Sequence, residues 1–264
     1  MNNFLFSMDF GKRVLSSCFL IFIALISLFT NQYILTITLI LLIAILTYEW
    51  ICITENIDNK LLFATKILIN IIIFLLSIMS IVWSLSFYLV ITFLHFFSKK
   101  YPKISTIYIY LGPLYLCFPL IFLYSMYLYS DKGIELVVWC LLVVWFTDTF
   151  AYLGGNIFQG KKLVPSISPK KTWSGFLSGL IGGVIISLFT FIYYNQNIYY
   201  AIIFGLLASL FAQFGDLLES YIKRIHSIKN SGNLIPGHGG MLDRLDSLLT
   251  CSCLVYISYN LVFK

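Results

Sequence analysis

Between residues 216 and 246 the chain gathers the residue types that handle phosphate. Asp216 and Glu219 stand three residues apart, and so do Asp243 and Asp246. On a helix that spacing puts both carboxylates of a pair on one face, where they can share a divalent cation. Ser220, Lys223, Arg224 and Lys229 follow the first pair, and Pro236-Gly237-His238-Gly239-Gly240 leads into the second. Amides exposed at a helix N-terminus favour phosphate, so a glycine-rich loop that opens a helix reads as a phosphate cradle. His238 is placed to bond a phosphate or to act as acid or base. The two acidic pairs flank one loop, which is more specific than either pair alone. The plainer alternative is a set of ion pairs and solvated charges at a membrane surface. Carboxylates entering hydrocarbon are costly, which favours a functional reading.

A second polar segment lies upstream. Asp148 falls inside an apolar run, and a buried aspartate needs a partner. The stretch Ser168-Pro169-Lys170-Lys171-Thr172-Trp173 is stiffened by proline, and its lysines can hold a polyphosphate as point charges. Glu49, between Tyr48 and Trp50, reads as an interfacial side chain reaching toward the headgroups. Lys66 reads as a snorkelling or paired lysine.

The rest of the chain must position these groups in hydrocarbon. Of its 264 residues, 60% are hydrophobic and only 11% charged, against roughly 25% charged in a soluble domain. Apolar runs near the length of a membrane helix, about 20 residues, recur throughout. The fold expected is all-α, a polytopic membrane protein with nine transmembrane helices. They lie at about 14–30, 33–53, 61–79, 81–98, 105–129, 133–153, 173–194, 198–218 and 241–262. The first follows Lys12-Arg13 as a signal peptide would, but no small-x-small cleavage site follows it, so it is expected to be retained. The whole chain, 1–264, reads as a single membrane domain. Residues 1–130 form a scaffold of helices, and residues 131–264 form the catalytic part with loops 154–172 and 219–240.

Charge orients the spans. With the N-terminus in the cytoplasm, 13 of the 17 basic residues fall on the cytoplasmic side: Lys12, Arg13, Lys60, Lys99, Lys100, Lys103, Lys161, Lys162, Lys170, Lys171, Lys223, Arg224 and Lys229. That is the positive-inside bias. Merging the third and fourth spans would turn the later basic loops outward. The net charge of +6 is spread over several loops, which argues against nucleic acid as a partner. The six cysteines lie in or at the ends of apolar runs, with no CxxC spacing, and read as packing residues.

The sequence Ser220-x-x-Lys223-Arg224-x4-Lys229-Asn230-x-Gly232-x-x-Ile235-Pro236-x-His238-Gly239-Gly240-x-x-Asp243-Arg244-x-Asp246 resembles the signature of phosphatidate cytidylyltransferases, also called CDP-diacylglycerol synthases. Asp148-Thr-x-Ala151-Tyr152-x-x-Gly155, Ser168-Pro-x-Lys171-Thr172-Trp173 and Gln213-Phe-Gly215-Asp216-x-x-Glu219-Ser220 are similar to that family's other polar segments. The resemblance implies an enzyme, a nucleotidyltransferase that joins CTP to phosphatidate and releases pyrophosphate. It implies magnesium, one ion or two, on Asp216, Asp243 and Asp246. It implies catalytic roles for these three with Lys223, Arg224 and His238. Ser168, Lys171, Thr172, Ser220, Lys229, Gly239, Gly240, Arg244 and Asp148 form the implied substrate-binding set. Phosphatidate already carries an ionised phosphate, so His238 is expected to contact phosphate rather than act as a general base. The partners implied are CTP, phosphatidate and the bilayer, with a homodimer left open. The place is the bacterial inner membrane, with the site facing the cytoplasm. Asn230 and Ser174 depart from the family's pattern, each standing where a carboxylate is usual. The rival readings are a polyprenol-phosphate transferase or other lipid-phosphate transferase, and an ion-coupled transporter, which predicts acids near mid-membrane.

Overall fold

The computed structural model describes residues 8–55, 60–97, 103–130, 132–235 and 239–262, with the backbone alone at 8–14, 103–106 and 259–262. Nine helices lie among the described residues: α1 (Met8–Phe29), α2 (Gln32–Thr54), α3 (Lys60–Met79), α4 (Ile81–Phe97), α5 (Lys103–Tyr129), α6 (Gly133–Phe158), α7 (Trp173–Tyr193), α8 (Ile198–Ile225) and α9 (Leu242–Val262). Between α6 and α7 stands a hairpin, β1 (Lys162–Val164) and β2 (Ser168–Thr172). It occupies the segment expected to be a loop; Lys162 pairs with Thr172 and Val164 with Ser168 across an irregular register.

Among the described residues, α2, α3, Ile107–Tyr129 of α5, α6, α7 and α8 are long and apolar enough to cross a membrane. Leu15–Phe29 of α1 and Ile81–Phe97 of α4 are shorter apolar stretches. The protein is a multi-pass membrane protein. Pro113 and Pro119 sit inside α5, which runs on through both.

The helices fall into two compact units. The first holds α1 to α4, α5 as far as Tyr124, and the segment Ile228–Arg244. Its core is aliphatic and aromatic, with Ile43, Leu46, Ile73, Phe74, Leu116 and Leu120 all sealed from solvent. Several polar groups inside it are paired. The Asn70 amide donates to Thr47 Oγ1 at 2.8 Å, and Trp50 Nε1 donates to the Tyr108 carbonyl at 3.1 Å. Lys66 is salt-bridged to Glu55, which settles it as a paired lysine.

The second unit runs from Ser125 to Ser227 and resumes at Leu245. Here backbones approach closely. Gly175, Gly179 and Gly183 recur every fourth residue on α7 and are all buried. Such a stripe of small residues lets membrane helices pack by van der Waals contact, since lipid gives no hydrophobic drive between helices. A Cβ on Gly179 would come within 3.1 Å of Gln213 Nε2 on α8 and of the Thr147 carbonyl on α6. Polar side chains bridge the same helices: Trp139 Nε1 donates to Ser187 Oγ at 3.0 Å, and Gln213 Nε2 to the Phe176 carbonyl at 3.2 Å. The buried cysteines Cys140 and Cys251 place their sulfurs 3.6 Å apart as thiols, in keeping with packing roles.

Gly183→Ala tests this packing. The added methyl would overlap Ser209 Oγ and stand 2.9 Å from Ser209 Cβ. Overpacking of this kind costs about 1–3 kcal/mol, more than the roughly 1 kcal/mol that alanine gains over glycine in a helix. The thermal midpoint in detergent is expected to fall, and an unchanged or raised midpoint would show that α7 and α8 can part at no cost.

Candidate active site

The C-terminal end of α8 carries its charges in successive turns. Glu219 is 2% exposed and salt-bridged to Lys223 one turn on. A carboxylate so buried needs a cation or several donors, and the i, i+4 lysine supplies one. Asp216, one turn earlier, takes its cation from elsewhere: Lys171 Nζ, at the end of β2, lies 2.7 Å from Asp216 Oδ2. Ser220 Oγ also donates to Asp216, at 3.4 Å.

The hairpin thus delivers Lys171, and it is tied down on several sides. Thr172 is the N-cap of α7, its Oγ1 accepting from Gly175 N at 3.1 Å. Ser174 Oγ accepts from Gly160 N at 3.1 Å and bonds Thr172 Oγ1 at 3.1 Å. Ser174, one of the two departures from the family's pattern, therefore fastens the start of the hairpin to α7. Trp173 N donates to the Lys161 carbonyl at 2.9 Å. Arg224 Nε donates to the Ile167 carbonyl in the hairpin turn at 3.3 Å, tying α8 to it. Ser168 is half-buried in β2, and Lys170 is exposed.

Asp246 on α9 belongs to the same unit and is 7% exposed. Gly215 makes this possible, since a Cβ there would stand 2.5 Å from the Asp246 carbonyl. The carboxylates of Asp216, Glu219 and, less strongly, Asp148 act electrostatically on Asp246. Asp148 differs from expectation in one respect: it is exposed at the surface of α6 rather than buried. Past the end of α8, burial lowers the pKa of His226 below the usual imidazole value. Its ring is neutral at physiological pH, and the positive charge at this end of α8 comes from Lys223 and Arg224.

The first unit holds the glycine-rich loop and the start of α9. Ile235 and Gly239 exchange backbone hydrogen bonds of 2.9 and 3.2 Å, and Gly239 takes a φ of +91°, where glycine is the residue without strain. Asp243 accepts from Ser231 N at 3.2 and 3.0 Å and from Gly240 N at 3.0 Å, while Ser231 Oγ accepts from Asp243 N at 3.3 Å. Lys229, Asn230 and Arg244 are exposed. His238 lies outside the described residues, together with Pro236 and Gly237.

Two sequence expectations are corrected here. The amides that open α9 are not bare: Gly240 N donates to Asp243, and Met241 N and Leu242 N donate to Glu49 at 2.8 and 2.7 Å. Nor does Glu49 reach for headgroups, for it is 1% exposed. A lone carboxylate near the end of an apolar span was the available signal, masked by its Tyr and Trp neighbours, which mimic an interfacial belt. Among the described residues, no three His, Cys, Asp or Glu side chains are gathered at metal-ligand distances. The donor chemistry of Asp216 and Asp246 nonetheless fits a hard divalent cation: both offer carboxylate oxygen, and their mutual repulsion rewards a cation between them.

A multi-pass helical membrane protein with acid–base pairs on its helices is the class these features define. Residues 11–262 match the cytidylyltransferase family, and the chain belongs to it. It is similar to the phosphatidate cytidylyltransferase of Rickettsia felis, 44% identical over 138 residues, 49% of this chain and 61% of the relative. It is similar to that of Rickettsia prowazekii, 38% identical over 162 residues, 58% of this chain and 69% of the relative. It is similar also to that of Staphylococcus haemolyticus, 43% identical over 128 residues, 47% of this chain and 49% of the relative. The matched stretch thus spans from about half to about two thirds of these curated relatives.

The buried pair on α8 generates a stability test. Lys223→Met strands the Glu219 carboxylate in an apolar setting, and breaking a buried pair costs about 3–5 kcal/mol. Adding Glu219→Gln removes the stranded charge. The single variant is expected to unfold at a markedly lower temperature in detergent and the double variant to recover most of the loss. Equal midpoints for the two would show that the pair is solvated.

Proposed function

We propose that this protein transfers the cytidylyl group of CTP to phosphatidate, giving CDP-diacylglycerol and pyrophosphate. What carries the reading is the family match over residues 11–262, joined to the cations and carboxylates set at the end of α8. The names of the three relatives point the same way. The lipid phosphate oxygen attacks the α-phosphorus of CTP, and the pyrophosphate leaves. Little covalent chemistry falls to the protein; it positions the reactants and neutralises charge. Lys171, Lys223 and Arg224 are the proposed phosphate contacts. Asp216, Asp243 and Asp246 are the proposed magnesium ligands. Magnesium, when bound, neutralises nucleotide phosphate and stabilises the departing pyrophosphate. A polyprenol-phosphate transferase or an ion-coupled transporter is less well supported, since neither accounts for the family match.

The proposed topology has nine spans, with the N-terminus and the loops 154–172 and 219–240 in the cytoplasm of a bacterial cell and the protein in its inner membrane. CTP then reaches the site from water while the acyl chains stay in the bilayer.

Purified protein given phosphatidate, labelled CTP and magnesium is expected to form a CDP-lipid and pyrophosphate in equal amounts. Asp246→Asn and Asp216→Asn are each expected to lower turnover about 100-fold or more, a loss of roughly 3 kcal/mol of transition-state stabilisation. No product from the unaltered protein would sink the reaction, and near-normal turnover in both variants would sink the residue assignment.

For topology, single cysteines replace Ser166 and Asn233 in a background without native cysteines. Each is expected to resist impermeant thiol reagents in intact cells and to react in inverted vesicles. Labelling from outside at either position would overturn the nine-span arrangement.

A further inference from the structure

We propose that Glu49 is a positioning residue for Asp243: from α2 it fixes the first turn of α9 and Ser231, and through them the orientation of the Asp243 carboxylate. The activity part of the test rests on the cytidylyl-transfer reading; the structural part does not.

The argument begins with burial. Glu49 is 1% exposed, so each of its oxygens must be met by donors or the residue would destabilise the fold. Oε1 accepts from Met241 N at 2.8 Å. Oε2 accepts from Leu242 N at 2.7 Å and from Ser231 Oγ at 3.0 Å. Two of the three donors are amides at the start of α9, which have no partner within the helix itself. A carboxylate there is favoured by the helix dipole as well as by the hydrogen bonds. The distances are those of charge-assisted bonds.

Ser231 makes the link to Asp243. An ionised carboxylate only accepts, so the Ser231 hydroxyl proton points to Glu49. The hydroxyl lone pair is then turned to Asp243 N, which donates to it at 3.3 Å. Ser231 N in turn donates to both Asp243 oxygens, at 3.2 and 3.0 Å. One residue thus reads the position of Glu49 through its side chain and sets that of Asp243 through its backbone.

The glycines agree independently. A Cβ on Gly240 would overlap Ser231 Oγ and lie 2.7 and 2.8 Å from the two Glu49 oxygens. A Cβ on Gly232 would lie 3.1 Å from Glu49 Oε1. Both glycines sit where the loop must pass close over this carboxylate. A lipid-facing or headgroup-facing glutamate would need neither.

The experiment uses the full chain in detergent, with Glu49→Gln, Glu49→Ala and Ser231→Ala. Gln keeps one acceptor oxygen and Ala none, so the effects are expected in the order Glu, Gln, Ala. Mn2+ binding is read by electron paramagnetic resonance without substrates. Losing a partner that orients a metal ligand typically costs 10–100-fold in affinity. Glu49→Ala and Ser231→Ala are expected to weaken Mn2+ about tenfold, and Gln less. Hydrogen exchange is expected to quicken in the peptide spanning 239–243 and to stay slow in α7. A residue needed only for folding would lower the folded yield while the folded fraction kept its Mn2+ affinity and its exchange at 239–243. That outcome, or unchanged Mn2+ behaviour across the series including no binding by any member, overturns the proposal. If Glu49→Ala fails to fold, Gln and Ser231→Ala decide in the same way. Activity separates the two claims: an unaltered protein that makes no CDP-lipid sinks the reaction alone, whereas an active protein whose variants match it in Mn2+ affinity, exchange and kcat sinks the role of Glu49.

Discussion

A carboxylate among apolar helices must have its charge answered on the spot, because neither water nor lipid will do it. Much of what is unusual in this protein follows from meeting that requirement in three different ways. Glu219 uses a lysine on its own helix, one turn away. Asp216, 37% exposed and so partly answered by water, adds Lys171, carried in by a hairpin from another part of the sequence. Glu49 uses backbone amides and a serine hydroxyl. The three differ in what they leave available. A lysine paired with a partly exposed acid, as Lys171 is with Asp216, can change partners, since a polyphosphate competes for the same ammonium. Amides locked in a helix turn cannot move, and the carboxylate they hold is a fixture.

Close backbone packing in the second unit brings other polar groups within reach of one another. The glycines of α7, spaced four apart, let α6 and α8 approach until a Cβ on Gly179 would crowd Gln213. Without that approach, Gln213 could not reach the Phe176 carbonyl, nor Trp139 the Ser187 hydroxyl. Gly215 plays the same part between α8 and α9, next to Asp216 and Asp246. Small residues here serve chemistry as well as packing: they bring polar groups within reach of one another in a setting where an unmatched one is costly.

The helices were legible because apolar length is nearly all that a membrane span requires; most ends fall within a few residues of the expected ones, while α1 starts six residues earlier and α8 runs seven residues further. The acidic pairs on α8 and α9 were legible because charge inside such a chain is rare. Three things were not. The hairpin has no alternating apolar pattern: Lys162, Ser168, Lys170 and Lys171 give no buried face, and it is held instead by Ser174, Trp173 and Arg224. Asp148 was expected to be buried because it lies in an apolar run, yet it is exposed at the surface of α6, and sequence does not say which way a helix position faces. Glu49 bonds a serine 182 positions away, and no local pattern encodes a partner at that distance.

The start of α9 shows why a motif alone can mislead about mechanism. A glycine-rich loop before a helix is the usual sign of bare amides awaiting phosphate. Here Gly240, Met241 and Leu242 each donate to a carboxylate already present. A phosphate arriving at those amides would have to expel Glu49 from a site with three donors and less exposure than any other carboxylate described. Gly240 answers a need within the fold, making room for Glu49 and Ser231. Charge neutralisation for the proposed substrates then suits a group whose partner can be exchanged, and Lys171, paired with the partly exposed Asp216, is such a group. The two pairings differ in kind: the partly exposed pair of Lys171 and Asp216 suits a passing phosphate, and the fixed amides of α9 suit a carboxylate that holds its place.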